Sequence, residues 1–168
     1  YQVEIKAVEG GGFFSTQILT VTVQNVNEAA PVIDTSNLTG SVKENAAIST
    51  VIYDVTASDA DTTDVLTYSV SGTDSSLVTI DSDDGEVRLK TSANFESSKK
   101  SYSFNVTVTD PDGSNDTEAV TVNVTDANDA PVITSASTAT LAENAVNSTV
   151  FYTATATDAD AGSNLTYS

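Results

Sequence analysis

The stretch TDANDAPVI, Thr125 to Ile133, has a counterpart a hundred residues earlier in QNVNEAAPVI, Gln24 to Ile33. The phrase is too polar for a core strand and too regular for an arbitrary loop. Its prolines, Pro31 and Pro131, stand 100 residues apart. VKENA (Val42 to Ala46) returns as LAENA (Leu141 to Ala145) at an offset of 99, and ASDADTTDVLTYS (Ala57 to Ser69) returns as ATDADAGSNLTYS (Ala156 to Ser168) at the same offset. YSFNVTVTDPDG and VTVNVTDAND, within Tyr102 to Asp129, echo YQVEIKAVEGGG and LTVTVQNVNE, within Tyr1 to Glu28, at 101. Separate blocks that agree to within two residues define an internal repeat, and a repeat of this length decides the architecture. The expected division is one complete repeat over residues 29–128, the C-terminal end of another over 1–28, and the N-terminal part of a third over 129–168. The chain contains no Met, so residue 1 reads as an internal position of a longer polypeptide.

Within the complete repeat the hydrophobic pattern has a period of two. Val51, Tyr53, Val55 and Ala57 alternate with neighbours of the opposite face, as do Leu66, Tyr68 and Val70, then Val87 and Leu89. Tyr102, Phe104, Val106 and Val108 form the longest series, followed by Val120, Val122 and Val124. Such alternation predicts strands buried on one face only. DSDDGEV, Asp81 to Val87, reads as a hairpin turn in which Gly85 supplies a positive φ. With short strands near Val32 and Leu77, about seven strands fit in a hundred residues, which predicts an all-β, two-sheet sandwich of immunoglobulin-like size.

Charge and missing residue types remove whole classes of function. Twenty-four acids against six bases give a formal charge of −18. Phosphate binding needs a basic face, so nucleic acid is not expected as a partner, and neither is a bare anionic membrane. There is no Cys and no His. That excludes disulfides, thiolate zinc sites, cysteine nucleophiles and the Ser-His-Asp triad, and no enzymatic role is expected. No apolar run approaches the ~20 residues of a membrane-spanning helix, so any membrane attachment would lie outside this sequence.

The acids collect in short phrases: KENA, SDADTTD, NFES, TDPDG and TDAND. In a sandwich these fall in loops and at strand ends, where segments distant in sequence can meet at one pole. Asp-Ala-Asp throws two carboxylates to one side of an extended segment, and Asn128 with Asp129 sets an amide oxygen beside a carboxylate. Oxygen-only ligand sets of this kind suit a hard cation such as Ca2+, which takes six to eight oxygens. Turn-forming Asp and Asn explain any one phrase better on their own. Their joint recurrence at one period favours the cation.

Taken together, ENA, DAD, NFE, TDPDG and DANDAP, in this order and at this period, resemble cadherin repeats across the whole chain. The resemblance implies a seven-stranded Greek-key sandwich, repeats joined end to end, and calcium ions at each junction. It makes the opening phrase a linker, with Pro31 and Pro131 starting the next repeat's first strand. At the second junction it implies Glu44, Asn94, Glu96 and Asp129 as ligands of the outer ions, helped by the carbonyl of Ala127. Asp160 would bridge inward, and Asn128 with Asp158 would hold a third ion. At the first junction it implies Asn27, Glu28, Asp59, Asp61 and Asp110. The outer sites of the second junction have the fullest ligand set by this reading. Asn94, Glu28 and Asn25 depart from the family pattern, which has Asp at each of these positions. The short NDAP linker is similar to that of cadherin-like repeats in large bacterial surface and secreted proteins.

The implied role is a calcium-rigidified extracellular module of cell adhesion, including homophilic adhesion. It would be part of a large secreted or membrane-anchored surface protein. Its partners would be adjacent repeats and another cell-surface protein or a surface glycan. A different class of function is a carbohydrate-binding module of a secreted polysaccharide-degrading enzyme, which needs an exposed aromatic platform. Phe13, Phe14 and Tyr152 are the candidates. Six Asn-X-Ser/Thr sequons occur, at Asn37, Asn105, Asn115, Asn123, Asn147 and Asn164; in a eukaryotic secretory protein some could carry glycans, and a chain this rich in Ser, Thr and Asn also forms sequons by composition alone.

Overall fold

The computed structural model describes every residue except Asn25, so the reading of that linker position lies outside the described residues. Among the described residues all regular structure is β apart from one short 3-10 turn. In chain order the strands are β1 (Gln2–Val8), β2 (Phe14–Thr20), β3 (Val32–Ile33), β4 (Thr39–Lys43), β5 (Val51–Asp54), β6 (Ala57–Ser58) and β7 (Thr67–Ser71). After the turn at Ser75–Leu77 come β8 (Val78–Ile80), β9 (Glu86–Leu89), β10 (Ser101–Thr109), β11 (Asn115–Thr125), β12 (Val132–Ile133) and β13 (Ala156–Thr157).

Strands β3 to β11, Val32 to Thr125, form a two-layer sandwich. One sheet has the order β4-β11-β10-β7; the other has the order β5-β9-β8, and β3 pairs with β6. The chain's entry explains the topology. β3 pairs antiparallel with β6, then the chain crosses and β4 pairs parallel with β11. The predicted first strand is therefore split between the layers, and the second is split into β5 and β6. With β7 to β11 this makes the seven strands of a Greek-key sandwich.

Alternation fixes which side chains fill the space between layers. Along β10, Tyr102, Phe104, Val106 and Val108 are buried, and across from them on β11 so are Val120 and Val122. Val87, Leu89 and Val78 close the core from the other layer. Burial of each such side chain contributes about 1.5–3 kcal/mol. The D-S-D-D-G turn joins β8 to β9 in the Ile80↔Val87 register, and Gly85 sits at φ 79° as expected.

One strand departs from strict alternation. The register shifts between Val51 and Tyr53, so Ile52 and Tyr53 are both buried whereas Val51 is 37% exposed. A bulge of this kind re-aims successive side chains. Here it also brings the backbone of Ile52 against Gly40, where an added Cβ would lie 2.5 Å from the Ile52 carbonyl oxygen.

The flanking segments copy parts of this sandwich. Hairpin β1–β2 pairs Gln2 with Thr20, the register of Ser103 with Thr121 shifted by 101 residues. β12–β13 pairs Val132 with Thr157 and Ile133 with Ala156, matching Val32 with Ser58 and Ile33 with Ala57. No second sheet covers β1–β2 among the described residues, so Val3 and Ile5 stay about half exposed where Phe104 and Val106 are buried.

Candidate metal centres

The first cluster lies at the pole where the chain enters the sandwich. Asp59, Asp61 and Asp64 occupy the loop after β6, and Asp110 opens the β10–β11 hairpin. Each loop is folded by its own acids. Asp110 Oδ1 accepts the N–H of Asp112 (2.9 Å) and of Ser114 (2.8 Å), and Gly113 closes the turn at φ 93°. Asp59 Oδ1 accepts the N–H of Asp61 (2.8 Å), and Asp64 donates its N–H to the Asp61 carbonyl (2.9 Å). Asp61 Oδ2 accepts the linker N–H groups of Glu28 (3.1 Å) and Ala29 (3.0 Å), which fastens the linker to this pole.

Loop folding uses one oxygen of Asp59 and one of Asp110. The other, Oδ2, is buried on each of Asp59, Asp64 and Asp110, and none of the three has a hydrogen-bond partner. Carboxylate oxygens of these same three residues lie within 4.8 Å of one another. Oxygens that share an ion at 2.3–2.6 Å are separated by at most about 5 Å, so the spacing fits calcium. Without a cation the arrangement is unfavourable, because buried acceptors are normally satisfied. Loss of hydration pushes the Asp64 carboxyl above the usual carboxylate range, reinforced by the charges of Asp59, Asp61, Asp110 and Asp112. Asn27 is half-buried with its amide nitrogen lacking an acceptor; turning the amide over presents Oδ1 instead. The side chain of Glu28 is exposed, and its backbone N–H is what reaches the pole.

The second cluster lies at the opposite end and gathers Glu44, Glu96 and Asp126, again with oxygens within 4.8 Å. Glu44 follows β4 and is 2% exposed. Its Oε2 accepts the Phe95 N–H (2.7 Å) and its Oε1 the Ala127 N–H (2.9 Å). Those two N–H groups hold its carboxyl below the usual range. Glu96 and Asp126 are pushed up, first by lost hydration; Glu44 and Asp129 then act on Glu96, and Asp160 and Glu44 on Asp126. Asn45, at φ 57°, adopts the left-handed conformation that Asn tolerates best among non-glycine residues, and Asn144 does the same at φ 62°. From that position Asn45 Nδ2 donates to Asp129 Oδ1 (2.8 Å). The Asp129 N–H donates to Asp160 Oδ2 (2.7 Å), and Asp158 Oδ1 accepts the Asp160 N–H (3.0 Å). Asp61 and Asp59 make the same pattern at the first pole.

Of the residues singled out from sequence, the structure thus joins Asp59 with Asp110, Glu44 with Glu96, and Asp129 with Asp160. Asn94 Oδ1 accepts the Ser97 N–H (2.7 Å) and closes a local turn. Asn128 is exposed and donates its side-chain amide to the Asp129 carbonyl (2.7 Å). Three contributors were not singled out. Asp126 is the first acid of the TDAND phrase, but the other linker has Asn25 there, so repetition conceals it. Asp64 is matched 99 residues on by Ser163 and is concealed likewise. Asn45 belongs to a recurring phrase, and its left-handed backbone is a property only coordinates show. The aromatic candidates do not form one platform. Phe13 and Phe14 sit at the β1–β2 tip, with the Lys6 ammonium 3.8 Å from the Phe14 ring centroid. Tyr152 lies in the third segment, its hydroxyl 2.7 Å from Ser135 Oγ.

The Cadherin domain family model matches residues 38–125. Human Protocadherin-1 is 37% identical over 137 residues, covering 77% of this chain and 13% of that protein. The Protocadherin-like wing polarity protein stan of Drosophila melanogaster is 32% identical over 157 residues, covering 89% of this chain and 4% of that protein. Among solved structures, human CDH23 EC21-23 aligns over 96% of this chain and 54% of its own, with a TM-score of 0.65 and 24% identity. Human Protocadherin-24 EC1-2 aligns over 66% and 50%, with a TM-score of 0.55 and 26% identity. The chain therefore spans only a small part of the length of these curated relatives.

Proposed function

This chain belongs to the cadherin family, and on that premise we propose that it is a calcium-stiffened segment of tandem repeats in the extracellular part of an adhesion protein. The repeats divide at 28/29 and at 128/129. Calcium occupies both poles of the complete repeat, and adjacent repeats and another surface protein are the partners. The observation that carries the reading is the triad of buried, partnerless oxygens on Asp59, Asp64 and Asp110. Such atoms are costly to the fold unless a cation binds them.

The chemistry required is modest: a hard cation supplies charge and directed oxygen bonds. The chain's residues do the rest. At the first pole Asp59, Asp64 and Asp110 would hold an ion, with Asn27 and Asp61 beside it. At the second, Glu44, Glu96 and Asp126 would do so, with Asp129, Asp160 and the Ala127 carbonyl. Each pole is already tied to its linker, through Asp61 to the Glu28 and Ala29 amides and through Glu44 to the Ala127 amide. Without calcium the grouped carboxylates repel and the joints bend; with it they are cross-linked and the repeats align. Stiffness is then set by the calcium concentration. The sugar-binding reading has no support in the arrangement of Phe13, Phe14 and Tyr152, and no catalytic step is part of the proposal.

Small-angle X-ray scattering in calcium and in EDTA tests the reading, with Glu44→Gln as the variant. The expected result is a longer, narrower distance distribution in calcium, diminished in the variant. Superimposable profiles together with an unmoved melting midpoint at millimolar calcium would refute it, because an ion bound only to the folded state must raise the midpoint.

A further inference from the structure

We propose that Asp64 is itself a calcium ligand and makes the Asp59–Asp64–Asp110 pole the tightest and first-filled of the chain's calcium sites. The inference rests on the calcium reading above and assigns a hierarchy within it.

Four observations carry it. First, Oδ2 of Asp64 is buried and accepts no hydrogen bond, and it shares that state with Oδ2 of Asp59 and of Asp110. Second, Asp110 is 5% exposed, so one member of the triad is sealed from water with an oxygen left over. Third, all three residues belong to one folded sandwich, within residues 57–114. The triad is therefore assembled without ordering any linker, and the ion meets ligands already in place. Fourth, the other pole is differently prepared. Glu44 has both oxygens engaged by the Phe95 and Ala127 amides, and Glu96 and Asp126 are exposed. An ion there must share the Glu44 oxygens with amides and displace water from Glu96 and Asp126.

The chain contains its own control for Asp64. Ser163 stands at the equivalent position, 99 residues on, after an equivalent D-A-D phrase. A turn is present in both copies, but not the same one: Asp64 donates its N–H to the Asp61 carbonyl at 2.9 Å, whereas Ser163 donates to that of Asp160 at 3.4 Å across a Gly162 at φ 88°. The i to i+3 bond itself is made by the backbone in both copies and not by the side chain at this position. What the carboxylate adds is a charged oxygen directed at the ion, and the count of such ligands tunes calcium affinity over orders of magnitude.

The test is a calcium titration of the 168-residue chain by 1H–15N NMR and calorimetry, with Asp64→Ser and Asp64→Asn, plus thermal melts in EDTA. In the wild type, the first equivalent of calcium should shift the Asp112 and Ser114 amides, which bond to Asp110, before the Phe95 and Ala127 amides, which bond to Glu44. Asp64→Ser should weaken the first-filled site roughly ten- to a hundredfold and reverse that order, with Asp64→Asn intermediate. In EDTA both variants should melt at or above the wild-type temperature, because a repelling charge has been removed. A wild type in which Phe95 and Ala127 move first overturns this inference and leaves the calcium reading standing. So does an Asp64→Ser chain that binds as tightly in the same order, or one whose EDTA midpoint falls as far as its calcium midpoint. A wild type with no calcium-dependent shift at either pole overturns both.

Discussion

Asp110→Asn separates loop-building from ion-holding more cleanly than any other substitution. One oxygen of Asp110 accepts the Asp112 and Ser114 amides at 2.9 and 2.8 Å, and the other is buried without a partner. Asparagine keeps a carbonyl for the two amides and replaces the idle oxygen with an NH2 that cannot ligate. In EDTA the two hydrogen bonds lose their charge assistance, a cost of about 2 kcal/mol at most, offset by relief of repulsion from Asp59 and Asp64. In calcium the consequence is larger. With free calcium a hundredfold above Kd, an intact site contributes about 2.7 kcal/mol, and a hundredfold loss of affinity leaves about 0.4. The calcium-dependent gain should fall by about 2 kcal/mol. For a sandwich of this size that is about 8–16 °C of midpoint. The assay is a pair of melts, in saturating calcium and in EDTA, for wild type and variant. The reasoning is refuted if the variant keeps the full calcium-dependent rise. It is refuted equally if the variant drops by the same amount in both buffers, since Asp110 would then act only as a turn residue.

Three further outcomes follow from the coordinates. Phe104→Ala empties a 2%-exposed core position and should cost about 3–5 kcal/mol in urea unfolding, equally with and without calcium. Gly40→Ala forces a Cβ to 2.5 Å from the Ile52 carbonyl oxygen and should destabilise by about 1–3 kcal/mol, with loss of amide protection along β4 and the facing part of β11. The calcium-free melting midpoint should rise on acidification from neutrality to about pH 5. Asp64, Glu96 and Asp126 titrate above their usual 3.8–4.5 and bind protons more tightly folded than unfolded, so their penalty is relieved as pH falls toward those values. Below about pH 4 the midpoint should fall, as Glu44, held low by the Phe95 and Ala127 amides, and Asp74, held low by Lys99, become protonated. In saturating calcium the first stage should reverse, because protons compete with the ion. Melts across pH 3–8 with and without calcium check both signs.

The sequence by itself determined the class of fold and that the acids are grouped in recurring phrases. A period-two pattern can bury only one face of each strand, so Phe104, Val106, Val120 and Val122 had to line a core between two layers. The alternating pattern left the acidic phrases to loops and strand ends, where segments distant in sequence can meet at one pole. Local rules also sufficed for Gly85, whose turn needs a positive φ; Asp59, Asp61 and Asp110 entered as ligands through the family resemblance. Tertiary structure alone decided which oxygens meet. The burial of both Ile52 and Tyr53 comes from a register shift against β9, which alternation within one strand does not encode. Asp126 and Asp64 occupy positions where the other copy carries Asn and Ser, so periodicity passes over them. Asp64 joins Asp110 only because β6 and β10 end at the same pole of the sandwich, 46 residues apart in the chain. Whether an oxygen is satisfied depends on every donor around it in three dimensions. The partnerless oxygens that point to an ion are therefore a property of the folded chain, which no phrase of the sequence contains.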